Sequence, residues 1–134
     1  MSFRRITIIK AVSPRTSDIN EELQWLGGSL GLFSARDKDK SCFRIFIALI
    51  RALKNSSFLS SDKLAEVTGL TRGTVVHHLN SLMDSGLVEN DRRGYKLKVD
   101  NLQELVDEVE LDVKKTLEDL KDVARNIDNK MGLN

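Results

Sequence analysis

Apolar residues recur along this chain with two different periods, and the switches between them divide it into short helices, one hairpin and one long helix. Phe43, Phe46, Ile47, Ile50 and Leu53 share one side of a helix predicted over about 39–54, and Cys42, Ile45, Leu49 and Ala52 form a second stripe on it. A helix apolar over most of its circumference is buried on more than one side. Ser60 or Ser61, with Asp62 in the first turn, opens the next helix, which runs to about Thr68 and packs through Leu64, Ala65 and Val67. Gly69-Leu70 separates it from a helix capped by Thr71 and ended at about Ser85, with Gly86 just past its last turn. The period then changes to two. Leu87-Val88-Glu89 and Tyr95-Lys-Leu-Lys-Val99 alternate around Asn90-Asp-Arg-Arg-Gly94, a β-hairpin with Gly94 supplying a positive φ at its tip.

The ends of the chain read differently. Residues 3–12 are rich in β-branched side chains and stop before Ser13-Pro14, which predicts a strand whose partner is distant in sequence or in another chain. A short helix starts at Ser17 or Asp18, with Ile19, Leu23, Leu26 and Leu30 on one side and Gly27-Gly28 ending or bending it. Residues 34–40 form a charged connection, and Phe58-Leu59 a short extended piece. Asp100-Asn-Leu-Gln103 has capping-box spacing for a long helix to about Lys130. Along it Leu102, Val106, Val109, Val113, Thr116, Leu120, Val123 and Ile127 recur in alternate steps of four and three, widened by Leu117, Ala124 and Met131. Over about four heptads that pattern predicts a coiled coil, on the order of 45 Å long, with a partner helix.

The net charge of +1 hides a division. Residues 1–99 carry 16 Lys+Arg against 10 Asp+Glu, or +6, and residues 100–134 carry 5 against 10, or −5. Any polyanion-binding surface therefore lies in the first hundred residues. Apolar runs are too short for a membrane span, and Thr7 and Lys10 interrupt the opening isoleucines before a signal-peptide core forms. One cysteine, Cys42, excludes an internal disulfide and deprives a zinc site of its usual thiolates. The expected localisation is cytoplasmic.

Two short helices joined by a tight glycine-containing turn form a helix-turn-helix, and a helix before it with a hairpin after it is the winged-helix order. The stretch Thr71-Arg-Gly-Thr-Val-Val-His-His-Leu-Asn-Ser-Leu-Met-Asp-Ser-Gly-Leu-Val88 resembles the recognition helices of ArsR- and MarR-like bacterial and archaeal transcriptional regulators. A hydroxyl cap is followed by Thr-Val, His-Leu and Leu, and Gly-Leu-Val opens the wing. The resemblance covers residues 43–99 at superfamily level. It implies a mainly α fold with a small β wing; with the ends read from their own patterns, the chain divides into an N-terminal strand and short helix serving as a dimer arm (1–36), a winged helix-turn-helix (37–99) and a C-terminal dimerisation helix (100–134).

Val75, Leu79, Leu82 and Met83 are the expected core side of the recognition helix, leaving Arg72, Gly73, Val76, His77, Asn80 and Ser81 outward. The resemblance implies that its first two turns enter a major groove of double-stranded DNA. Arg72 is then the candidate for guanine O6/N7, Asn80 or His77 for a base edge or phosphate, and Val76 for a thymine methyl. Thr71 and the free N–H groups at the helix start suit a phosphate. Gly73 costs the helix about 1 kcal/mol against alanine, and either permits close backbone approach or is merely tolerated. In the wing, Arg92, Arg93, Lys96 and Lys98 suit backbone or minor-groove contacts, which give affinity rather than sequence reading.

Blander readings stand beside these. His77 and His78 point about 100° apart and do not converge on a metal ion, and the paired cysteines of ArsR-type metal sites are missing. His78 reads as a packed helix residue, Cys42 as a small core residue and Trp25 as core or dimer contact. Arg92-Arg93 also fits an ordinary solvated hairpin tip. Gly27-Gly28-Ser-Leu-Gly31 lacks the lysine of a phosphate-binding loop, and no catalytic constellation stands out, so neither an enzyme nor a cofactor is expected. The leading expectation is a homodimeric, sequence-specific regulator of transcription, joined through Leu102, Val106, Val109, Val113, Leu117, Leu120, Val123 and Ile127. One rival is a winged-helix interaction module whose coiled coil docks on a larger assembly. Another is an effector-sensing regulator with an unidentified small molecule near Trp25, Phe33 and Phe43.

Overall fold

A computed structural model describes residues 3, 5, 7–9, 13, 15, 17–33, 37 and 39–133. Its elements run α1 (Ile19–Ser29), α2 (Ser41–Leu53), α3 (Ser61–Thr68), α4 (Arg72–Ser85), β1 (Val88–Asp91), β2 (Gly94–Leu97) and α5 (Leu102–Met131). The fold is mainly helical, with a two-stranded antiparallel wing in which Val88 pairs with Leu97 and Asp91 with Gly94.

Helix α2 is the centre of the core. Cys42, Phe43, Ile45, Phe46 and Leu49 are buried, and the helix packs on α3, α4 and β2. Phe33 meets the Phe43 and Phe46 rings, each at 5.5 Å between centroids, and Leu30 and Leu32 also pack against the core. The start of α2 has no ordinary cap. Lys40 adopts a left-handed conformation (φ 57), and carboxylates of the preceding turn accept from the helix instead. Asp37 takes the Cys42 and Phe43 N–H groups and Asp39 that of Ser41. Bonding to Ser41 holds the Asp39 carboxyl below its usual range.

Leu64 from α3, Val75, Leu79 and Leu82 from α4, and Leu87, Val88, Leu97 and Val99 from the wing fill the rest of the core. Val67, expected to pack, is exposed instead. An eight-residue helix turns only a narrow side inward, and Leu64 with half-buried Ala65 occupies it.

Three further expectations are corrected. Of the strand expected over 3–12, residues 4, 6 and 10–12 lie outside the described residues, and residues 3, 5 and 7–9 form none. The Ile9 N–H bonds to the Ser29 carbonyl and the Phe3 N–H to the Asp112 carboxylate. A helix end and a single side chain anchor this segment, and neither presents a strand edge. Gly27-Gly28 does not end α1, which continues to Ser29. A side chain at Gly27 would overlap the Phe33 ring, so this glycine serves close packing. The cap of α5 is Asn101 rather than Asp100. Its side chain accepts the Glu104 N–H, and Glu104 in return accepts the Asp100 N–H.

Helix α5 divides into two parts. Leu105 and Val109 are buried in the chain's own core, and Leu102 and Val113 pack against it. Leu102, Val109 and Val113 are thus engaged within one chain rather than held free for a partner. Beyond Val113 every residue to Met131 is exposed, so the helix projects about 27 Å past the body.

Candidate nucleic-acid interface

The turn between α3 and α4 is set by Gly69 in the left-handed region (φ 71), with its N–H bonded to the Ala65 carbonyl. Thr71 then caps α4, its hydroxyl oxygen accepting the Thr74 N–H at 3.2 Å. At the other end Gly86 (φ 92) returns its N–H to the last turn and starts the wing. Val75, Leu79 and Leu82 face inward, which fixes the outward side: Thr71, Arg72, Gly73, His77, Asn80 and Ser81 are exposed and Val76 is half-buried. Met83 is half-buried at the edge of the core.

Arg72, at the first turn, has a partner that its local sequence did not suggest. Its Nε lies 3.6 Å from Asp62 Oδ1 across the turn, with both side chains largely exposed. Solvent screens this pair, so it orients the guanidinium without contributing much stability.

In the wing, Arg92 and Arg93 are the two loop residues and are not equivalent. Asp91 accepts the Arg93 backbone N–H at 2.7 Å and its Nη2 at 2.6 Å. The Arg93 guanidinium also lies over the Phe58 ring, 4.0 Å from its centroid. Bonding to Arg93 holds the Asp91 carboxyl below its usual range, and bonding to Asp91 raises the Arg93 guanidinium. Lys96 lies 5.5 Å from the centroid of the same ring, while Lys98 is exposed. The ring is held in place because Leu59 exchanges backbone hydrogen bonds with Tyr95, at 2.9 and 2.8 Å, adding one bridge to the hairpin edge. Gly94 (φ 122) lies against that bridge, where any side chain would strike the Leu59 backbone.

The two histidine rings meet edge to face at 5.4 Å. Among the described residues no group of three or more His, Cys, Asp or Glu side chains is placed to hold a metal ion. His77, His78 and Ser81 instead border a cleft of about 870 Å³, whose opposite wall includes Arg5, Thr7 and Phe33. The recognition helix therefore has two flanks: Arg72, Gly73 and Asn80 lie clear of the cleft, and His77 and Ser81 stand on its rim. Phe43 is buried, its ring tilted 43° against that of Phe33 at 5.5 Å, and neither Phe43 nor Trp25 lines the cleft. The space near the aromatics is displaced towards α4 from where the sequence suggested. The Asp62, Asp91 and Phe58 contacts were also beyond a local reading, although the Asp91-Arg-Arg-Gly94 turn alone marks Asp91 as a candidate partner for its own loop.

A capped helix-turn-helix with an outward α4 and a basic two-stranded wing defines a winged helix-turn-helix domain. Residues 47–90 match the model of a family described as bacterial regulatory protein, arsR family. The match covers about a third of the chain, from within α2 to within β1, and supports a DNA-binding transcriptional regulator of the ArsR winged helix-turn-helix type. The matched residues include all of α4 and stop before Arg92. No curated protein and no solved structure gives a significant match. Among the described residues no helix is long and apolar enough to cross a membrane.

Proposed function

We propose that this protein is a sequence-specific regulator of transcription that binds double-stranded DNA as a homodimer. Each subunit places residues 71–81 in a major groove and Arg92, with Lys96 and Lys98 behind it, on the flanking backbone or minor groove. The observation that carries this reading is the exposed side of α4 from Thr71 to Asn80, open at the capped, positive end of a helix matched to a DNA-binding family. Arg72 and Asn80 are the residues for base edges, and Thr71 with the adjacent free N–H groups suits a phosphate. Leu117, Leu120, Val123 and Ile127 form the free part of the subunit contact, and a two-fold dimer selects an inverted repeat. The domain boundaries follow: an arm to about residue 36, the winged body to residue 99, and the C-terminal helix after it.

Selection of bound sites from random duplex DNA tests this directly. The expected result is an inverted repeat whose half-site preference is lost in Arg72→Ala. Recovery of random sequence at moderate salt, from protein that is dimeric by sedimentation, would favour the second reading, an interaction module. The acidic partners Asp62 and Asp91, which partly neutralise Arg72 and Arg93, support that alternative.

A further inference from the structure

We infer that two copies of α5 pair antiparallel through the projecting half alone, with Leu117 of one chain facing the partner's Ile127 and Leu120 facing the partner's Ala124. This rests on the homodimer part of the proposed function and not on DNA reading.

The first ground is steric. The stripe that packs Leu102, Leu105, Val109 and Val113 on the chain's own core continues, in the same steps of three and four, as Leu117, Leu120, Ala124, Ile127 and Met131. One side of the helix thus faces its own body first and open solvent afterwards. Leu120 is 59% and Ile127 47% exposed. A parallel partner seated on the open half would run back along the same side of α5 into the volume filled by this chain's body. An antiparallel partner leaves in the opposite direction, and its body lies beyond Met131.

The second ground is the side-chain pattern. Positions 117, 120, 124 and 127 are symmetric about residue 122, so reversal pairs each of these apolar positions with another. Ala124, the small member, receives Leu120. On one flank Lys114 meets the partner's Asp128, and by symmetry Asp128 meets the partner's Lys114. On the other, Val123 meets its own copy. Lys121 is left beside its own copy near the axis, the one unfavourable contact. In a parallel pair, by contrast, Lys114 would face Val109 and Asp128 would face Val123, so neither charge would gain an opposite one. The antiparallel pairing places the two points where α5 leaves its body about 27 Å apart along the helix axis.

Single-cysteine variants of the full chain test the pairing without DNA, with Cys42 left in place because it is buried. Under mild oxidation Leu117→Cys alone and Ile127→Cys alone should each stay uncrosslinked, because their copies lie about 15 Å apart along the axis, beyond disulfide reach. Mixed and exchanged, the two variants should form a covalent heterodimer. Self-crosslinking of Leu117→Cys without the mixed product, or wild-type protein that sediments as a monomer at tens of micromolar, would overturn the inference. Lys114→Asp or Asp128→Lys should weaken dimerisation about fivefold or more, and the double swap should restore it. A double variant as weak as the singles would also count against the pairing. Loss of DNA binding with the mixed crosslink intact would overturn the DNA reading and leave the pairing standing.

Discussion

Arg93 lies over Phe58, guanidinium to ring centroid 4.0 Å, while its neighbour Arg92 occupies the other position of the same two-residue loop. The Asp91 carboxylate completes the clamp, so Arg93 shapes the wing and the proposed DNA contact falls to Arg92. Arg92→Ala should leave the thermal midpoint unchanged and weaken binding to all sequences. The slope of log affinity against log salt should fall by about one, as expected for one lost phosphate contact. Arg93→Ala should lower the midpoint, because it removes the loop's own bonds. Thermal melts and a gel-shift salt series on both variants separate the roles, and equal effects would show that the clamp does not distinguish them.

Asp62 offers its carboxylate to Arg72 from the preceding helix, 3.6 Å away. It also adds a negative charge next to the expected phosphates. Asp62→Asn should raise affinity for any duplex by about threefold at low salt, and the gain should fade as salt rises because both groups are exposed. Base preference should broaden at the same time, since Arg72 loses its orienting partner. A fluorescence titration against selected and scrambled sites reads both changes.

Two glycines should respond oppositely to alanine. Nothing stands near a Cβ at Gly73, which lies in the first turn of α4, so Gly73→Ala should stabilise the fold by up to about 1 kcal/mol. It should also weaken DNA binding, because the added methyl group separates the helix backbone from the groove floor. Gly94→Ala should cost about 1–3 kcal/mol through its φ of 122 and its collision with the Leu59 backbone. Urea midpoints measure both. Stabilisation without any change in affinity would show that Gly73 has no part in DNA approach.

Much of this was legible in the sequence because local chemistry decided it. Ser60, Thr71 and Gly86 cap helices through bonds within four residues, and Leu64, Val75, Leu79 and Leu82 declare their side by spacing. The expectations that changed depended on distant partners. The isoleucines near the N-terminus have strand composition, yet Ile9 meets the end of α1 and Phe3 meets Asp112. The even seam of α5 concealed a division between own core and free helix, because periodicity reports an apolar side but not what covers it. Val109 and Ile127 look alike in sequence and lie in different surroundings. At the candidate site, spacing gave the outward side of α4 but not the Asp62 pair, the Phe58 platform or the cleft behind His77.

Cys42 should make stability depend on alkaline pH. Burial, and after it the Asp37 carboxylate, push its thiol up from 9.0 to about 12. The folded state therefore holds the proton more tightly than the unfolded chain. The contribution is present in full below pH 9 and is lost as pH rises from 9 towards 12. The stability difference between wild type and Cys42→Ala should narrow above pH 9, by urea melts at several pH values. At pH 8 the folded protein should hold roughly a thousandfold less thiolate than the unfolded chain, and should react with thiol reagents correspondingly slowly.

Truncation separates the two parts of α5. A chain ending after Val113 retains Leu105 and Val109 in the core and, among the described residues, loses only exposed ones. It should melt within a few degrees of the full protein, sediment as a monomer, and lose about 100-fold or more in affinity for a selected inverted repeat while binding a single half-site as before. A chain ending at residue 100 removes two buried side chains worth about 1.5–3 kcal/mol each, a large part of the stability of a small domain. It should be unfolded or nearly so. A dimer surviving truncation after Val113 would move the subunit contact to the exposed Ile8 and Ile9 beside α1, where the N-terminal segment already lies against the body.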